Sequence, residues 1–361
     1  MPAPTPCAGL APALRVGLVG FGYAGSTFHA PLIRATPGLA LVAVASSDAA
    51  KVQCALGPAV AVLPVAALID RDDIDLVVLA SPNASHHPLA RQALAAGRHV
   101  VIDKPFALDA GQAAELLALA ESRGLLLSVF HNRRWDSDFI ALQQVLADGC
   151  VGRPVELASH FDRYRPTVVD RWRERDTPGA GLWMDLGPHL LDQAVQLFGM
   201  PDAMALDRAR LRPGAMVDDW FSARLRWADG AWAGLRVTLG ASMLAAAARP
   251  RFALHGLAGS WQVHGLDVQE ADLKRGATPA SHAPWGHESR SATLWVDGAA
   301  EGRPAPLPAG RYPAYYAGIR DALRGLGATP VSAQQALAVQ RLLDAGLRSD
   351  AARAEINLPR G

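Results

Sequence analysis

The stretch VGLVGFGYAGSTFHAPLI, residues 16–33, decides the fold. An apolar run meets three glycines, Gly20, Gly22 and Gly25, and then residues that favour a helix. Between a strand and a helix, each glycine of this spacing has a task. Gly20 permits the tight turn, Gly22 lets backbone approach a pyrophosphate, and Gly25 lets helix pack closely on strand. The intervening Phe21, Tyr23 and Ala24 share that turn, whose helix N-terminus favours an anion through free N–H groups and the helix dipole. With 33 glycines in 361 residues the spacing alone is weak, so its surroundings carry the weight.

Those surroundings are repetitive. LRVGLVG, LALVAVASS, AVAVL, IDLVVLAS, HVVID and LLLSVF are short apolar runs between Leu14 and Arg134. Amphipathic segments separate them, such as SHHPLARQALAAG and DAGQAAELLALAESRG, the latter with Asp109 and Gln112 at helix-opening positions and Gly124 at its end. Continuous apolar strands alternating with helices predict a parallel sheet covered on both faces. After HNRRWDSDF the pattern changes. PVELASHFDRYRP has strand character, and GAGLWMDLGPHLLDQAVQLFG predicts a long helix ending at Gly199. WFSARLRWADGAWAGLRVTL turns at Asp229-Gly230, and RFALHG and GSWQVHG follow as antiparallel strands. RYPAYYAGIRDALRGLG returns to helix, and Ser332 and Gln335 open another with a capping box.

The fold class expected is therefore α/β: an N-terminal doubly wound parallel sheet of Rossmann type plus a C-terminal α+β domain with a large, mostly antiparallel open sheet. The divisions expected are a disordered leader at 1–13, a dinucleotide-binding domain at 14–134, a substrate and oligomerisation domain at 135–330, and a helix and tail at 331–361 packing back on the first domain.

Half of the chain is apolar, 19% is charged and the net charge is +1. No basic block exists, which argues against nucleic acid and anionic membranes as partners. Cys7, Cys54 and Cys150 have no metal-ligand or disulfide spacing, so no metal is expected and reduced thiols in a cytoplasm are the simpler expectation. No apolar run is long enough to cross a bilayer.

The second strand ends in VAVASSD. An acid at its end would bind both ribose hydroxyls and repel a 2′-phosphate. Ser46 stands there, followed by Ser47 and, one turn on, Lys51, which favours NADP(H) over NAD(H). The alternative makes Asp48 the ribose acceptor. VVIDKPF puts Lys104 at the C-terminal edge of a strand, and MDLGPHLLD puts Asp185 and His189 four apart on one helical face. Lysine polarises a carbonyl or steadies an alkoxide, histidine carries the hydroxyl proton, and aspartate is expected to orient or tune that imidazole. Hydride exchange at a secondary alcohol needs only these groups beside a nicotinamide.

GFGYAG, DKPF and DLGPH, in this order, resemble the signatures of the Gfo/Idh/MocA oxidoreductases. FHAPLI, VFHNRRWDSDF, HFDRYRP, RWRE, DLGPHLLDQAVQLFG and YPAYY resemble more narrowly the family's NADP-dependent scyllo-inositol dehydrogenase branch. The resemblance implies that Lys104, Asp185 and His189 form the catalytic set, and that Ser81, Pro82 and Asn83, with His86 nearby, line the nicotinamide side. Asp103 departs from the family's glutamate before Lys-Pro, which shortens the reach toward the nicotinamide ribose. His160, Asp162, Arg163 and the segment Arg171-Trp172-Arg173 are substrate candidates beside Asp185 and His189. Tyr312, Tyr315 and Tyr316 fit packing better than ligand contact. The activity implied is NADP(H)-dependent interconversion of a secondary hydroxyl and a ketone on a polyol or sugar, with scyllo-inositol and inosose leading. The alternatives are a silent NADP(H)- or sugar-sensing regulator and an NAD-dependent glycosidase. The open sheet face calls for a homodimer or homotetramer.

Overall fold

A computed structural model of the chain describes residues 12–296 and 298–359, so residues 1–11 of the expected leader lie outside the described residues. Six strands make the first sheet: β1 Leu14–Val19, β2 Leu39–Ala45, β3 Ala61–Val62, β4 Leu76–Leu79, β5 His99–Ile102 and β6 Leu127–Val129. All pairings are parallel, in the order β3-β2-β1-β4-β5-β6. Every residue of β4 is buried, as a strand covered on both faces requires. Between β1 and β4 the order reverses, and the C-terminal strand ends there open a crevice of the kind that binds ligands in doubly wound sheets.

Helices cover both faces. Ala90, Leu94 and Leu116 pack on one, and Phe28, Leu32 and Ile33 on the other. The second face is completed by the helix Pro313–Leu323, reached through Tyr312. Tyr312, Tyr315, Tyr316 and Ile319 recur at helical spacing and all are fully buried against this face. This segment, grouped with the second domain by sequence, packs into the core beside the first sheet.

The second sheet has nine strands: β7 Pro154–His160, β8 Ala203–Ala209, β9 Trp220–Arg226, β10 Arg236–Ser242, β11 Phe252–Gly256, β12 Gly259–Val263, β13 Ser291–Val296, β14 Arg303–Pro306 and β15 Ile356–Asn357. They lie in the order β14-β13-β12-β11-β7-β10-β9-β8-β15. Only the β7–β10 pairing is parallel among them. Leu157, Phe221, Leu225, Val237, Leu239 and Leu254 point inward against the helix Leu182–Phe198. Alternate residues such as Ala158, Ser222, Thr238 and Gln262 fall on the other face.

The last helix, Ala333–Ala352, opens with the Ser332–Gln335 capping box and packs on both domains, and β15 then joins the second sheet beside β8. The tail expected to return to the first domain therefore ties the two together. A buried ion pair does the same nearer the crevice. Arg134 binds Asp192 through two hydrogen bonds of 2.9 and 2.7 Å, and Gln193 donates to the Arg133 carbonyl at 2.9 Å. These contacts fix the helix Leu182–Phe198 against the end of β6. Among the described residues no helix is long and apolar enough to cross a membrane, and no cluster of His, Cys, Asp or Glu could hold a metal ion.

Candidate active site

Gly20 adopts φ +97°, and a Cβ there would stand 2.6 Å from the Ala80 carbonyl oxygen. A Cβ on Gly25 would collide with the Gly20 carbonyl oxygen, so both positions need glycine for the turn to close. Around Gly22 there is open space. The helix that follows begins at Tyr23 and includes a π-helical turn, Gly25–His29. Its first N–H groups have no partner within the helix and face a groove of about 940 Å³.

The groove is floored by Gly20, Phe21, Gly22, Tyr23 and Ala24, and walled by Ser46, Ser47 and Lys51 at one end and Ser81, Pro82 and Asn83 at the other. A glycine cradle, free helix N–H groups and this volume fit a dinucleotide. At the adenosine end, Asp48 also lines the groove, with one carboxylate oxygen engaged in a helix cap and the other open to a ligand. Its carboxylate accepts the Lys51 N–H at 2.9 Å and caps the helix Ala49–Leu56, while its own N–H donates to Ser46 Oγ at 3.1 Å. Lys51 reaches back over the Phe21 ring and donates to the Phe21 carbonyl at 3.1 Å. His86, expected at the nicotinamide side, lies beneath the groove wall instead. It is fully buried, with its ring nitrogens 2.9 Å from the Pro105 carbonyl and 3.0 Å from the Ser81 carbonyl. It positions the wall and does not line it.

A second cavity of about 370 Å³ continues from the groove, the two sharing Tyr23, Ala24, Asp103, Arg171 and Arg173. Lys104, Asp185 and His189 meet in its wall. Lys104 Nζ donates to the Asp185 carbonyl at 2.7 Å and to its Oδ1 at 2.8 Å, leaving the third ammonium proton for a ligand. Arg173 lies 3.4 Å from the same oxygen. Burial pushes the Asp185 carboxyl up, but Lys104, Arg173 and Arg163 outweigh it and hold it well below the usual carboxylate range. Asp185 thus orients Lys104. The expectation that it orients His189 is corrected: among the described residues no hydrogen bond joins them, and His189 Nδ1 has no partner. The Asp185 charge does act on the imidazole, raising its pKa against burial and the nearby cations. Helical spacing gave the pair one face, but the lysine from the other domain claims the carboxylate.

His189 is buried, and its pKa lies well below 6.5 because of burial first and then the charges of Lys104, Arg133 and His131. Its imidazole is therefore neutral. Asp103 stands where groove and cavity join, 3.6 Å from His29 Nε2, and His29 Nδ1 is 2.6 Å from the Tyr316 hydroxyl.

The substrate candidates divide by strand phase. Arg163 lines the cavity. His160 and Asp162 point the other way, as alternation along an extended chain demands, and are engaged elsewhere. His160 Nδ1 is 3.1 Å from the Pro250 carbonyl, and Asp162 binds Arg249 through two contacts of 2.8 Å. Trp172 lines the dinucleotide groove, with the Arg173 guanidinium stacked on its ring. Arg133, Arg165, Glu270 and Lys274 complete the cavity and were not singled out from the sequence. Glu270 accepts from the Tyr23 hydroxyl at 2.6 Å and pairs with Arg133 and Lys274, so it links the glycine turn to the second domain. For Arg165 a signal existed, since Arg163-x-Arg165 falls on one side of an extended chain. Glu270 and Lys274 look like an ordinary exposed i,i+4 pair.

Comparison with known proteins agrees with this architecture. Residues 14–131 match the family model "Oxidoreductase family, NAD-binding Rossmann fold", and residues 143–358 match "Oxidoreductase family, C-terminal alpha/beta domain". The chain is 49% identical to the uncharacterized oxidoreductase YdgJ of Escherichia coli, over 96% of this chain and 99% of that one. It is 30% identical to scyllo-inositol 2-dehydrogenase (NADP(+)) IolW of Bacillus subtilis, over 93% of each. A solved structure from Yersinia pestis superposes with a TM-score of 0.91 at 46% identity, covering 98% of this chain and 99% of that one.

Proposed function

The chain belongs to the Gfo/Idh/MocA family of oxidoreductases, and from that premise we propose that it interconverts a secondary hydroxyl and a ketone on a polyol or sugar with NADP(H). One observation carries this reading: Lys104 and His189 converge in a cavity continuous with the dinucleotide groove. A nicotinamide in that groove supplies the hydride exchange. The neutral His189 imidazole accepts the hydroxyl proton in oxidation and returns it in reduction. The remaining proton of Lys104 steadies the oxygen as its charge changes, and Asp185 fixes the ammonium for that task. A ring polyol such as scyllo-inositol, with inosose as its ketone, is the leading candidate, supported by the similarity to the Bacillus subtilis enzyme.

Ser46, Ser47 and Lys51 support NADP(H), with Asp48 in the same wall as the competing ribose acceptor for NAD(H). The test is a panel of inositols, inososes and aldoses assayed with both cofactors. A hydrogen bond to a charged group is worth enough that kcat/KM is expected to favour NADP⁺ over NAD⁺ by at least about tenfold. A tenfold preference the other way would overturn the assignment.

The outward face of the nine-stranded sheet supports a homodimer or homotetramer through the second domain. Light scattering at working concentration is expected to give the mass of two or four chains, and the mass of one chain would refute this. The free thiols of Cys54 and Cys150 support a reducing compartment, the cytoplasm.

A further inference from the structure

The substrate cavity holds more positive charge than its own carboxylates neutralise. Lys104 and Arg173 share Asp185, Arg133 and Lys274 share Glu270, and Arg171 is held by Glu174 at 2.6 Å. Two cavity-lining guanidinium groups remain, those of Arg163 and Arg165. Among the described residues neither has a carboxylate within 4.0 Å. Their placement is fixed by backbone: Arg163 N–H donates to the Ser242 carbonyl at 2.8 Å and Arg165 N–H to the Met243 carbonyl at 2.7 Å. Arg163 lies over the Phe161 ring, 5.1 Å from its centroid. Burial depresses its pKa, and the nearby charges of Arg165 and Arg133 add to that, against Asp185 and Glu270. Arg163 is partly buried and Arg165 exposed. It is chiefly at Arg163 that a cation partly removed from water beside like charges costs free energy that a bound anion recovers.

The cofactor's phosphates are not that anion. The dinucleotide groove is lined by Arg171 and Arg173, whereas Arg163 and Arg165 line only the cavity that also contains Lys104 and His189. We propose that the substrate is an acidic polyol, whose carboxylate or phosphate is held by Arg163 and Arg165 while its reacting hydroxyl lies at Lys104 and His189. This rests on the reading of the site as a polyol oxidoreductase. Both anions suit the planar guanidinium fork.

The test uses matched pairs with NADP⁺: gluconate against glucitol, and myo-inositol 1-phosphate against myo-inositol. In one pair the anion is expected to have a kcat/KM larger by the order of 10²-fold, and which pair responds distinguishes carboxylate from phosphate. Arg163→Ala and Arg165→Ala are expected to bring that ratio toward one, while Arg163→Lys retains part of it. Binding of gluconate and myo-inositol 1-phosphate to the NADPH-loaded protein, measured by calorimetry, separates the two claims. Neutral members oxidised as well as the anions, with a ratio that Arg163→Ala does not move, would overturn the acidic substrate and leave the polyol reading standing. Anion binding abolished by Arg163→Ala, with no probe oxidised, would support the anion site and count against the polyol reading. Absence of anion binding would overturn the inference.

Discussion

His189→Ala is expected to lower kcat by about 10²- to 10⁴-fold, the usual contribution of a positioned acid–base group, with NADPH affinity unchanged within about threefold. The cofactor term follows from location, since His189 lines the substrate cavity and not the dinucleotide groove. The kinetic term follows from the neutral imidazole in the wall of the substrate cavity. Burial and the neighbouring cations favour the neutral ring, so the base form persists to pH values well below 6.5. In the oxidation direction, the pH–kcat profile is therefore expected to stay level through 6.5 and to fall only further into acid. Stopped-flow turnover and fluorescence titration of NADPH check both parts. Normal turnover in the variant would remove His189 from the mechanism.

Lys104→Met is expected to lower kcat/KM by about 10²- to 10³-fold, as losing one donor to a developing oxyanion does. It also removes the main partner of a buried carboxylate, leaving Asp185 with Arg173 at 3.4 Å. Breaking such a pair costs about 3–5 kcal/mol when it is well buried, and less here because both side chains retain some exposure. The sign with pH is defined. Asp185 is depressed in the fold, so its pairing contributes stability above the unfolded carboxylate value of 3.8 and loses it as pH falls below. The stability gap between wild type and Lys104→Met, from urea melts, is thus widest at neutral pH and narrows in acid. Adding Asp185→Asn is expected to restore stability without restoring activity. Recovered activity in the double variant would contradict the role of Lys104.

Much of this was legible in the sequence, and the limits have physical causes. The strand–turn–helix at Gly20, Gly22 and Gly25 was readable because steric demands on a turn are local. Lys104 was readable as a strand-end residue at the edge where such sheets bind ligands, but it and His189 became a catalytic pair only through the family resemblance of DKPF and DLGPH. Partner choice was not readable. Asp185 shares a helical face with His189, yet its carboxylate goes to a lysine 81 positions away, which only the packing of two domains decides. Strand phase separated Arg163 from His160 and Asp162, and one residue of phase reverses which side chains enter the cavity. The stripe Tyr312, Tyr315, Tyr316 and Ile319 declared a buried helix face without declaring which sheet would bury it. Glu270 became part of the site only when the fold brought Tyr23 to it.

The most direct test of the oxidoreductase reading follows the label from a polyol deuterated at its reacting carbon. With NADP⁺ present, mass spectrometry is expected to find one deuterium in the NADPH released for every ketone formed. Turnover that leaves the released cofactor oxidised and unlabelled would contradict it.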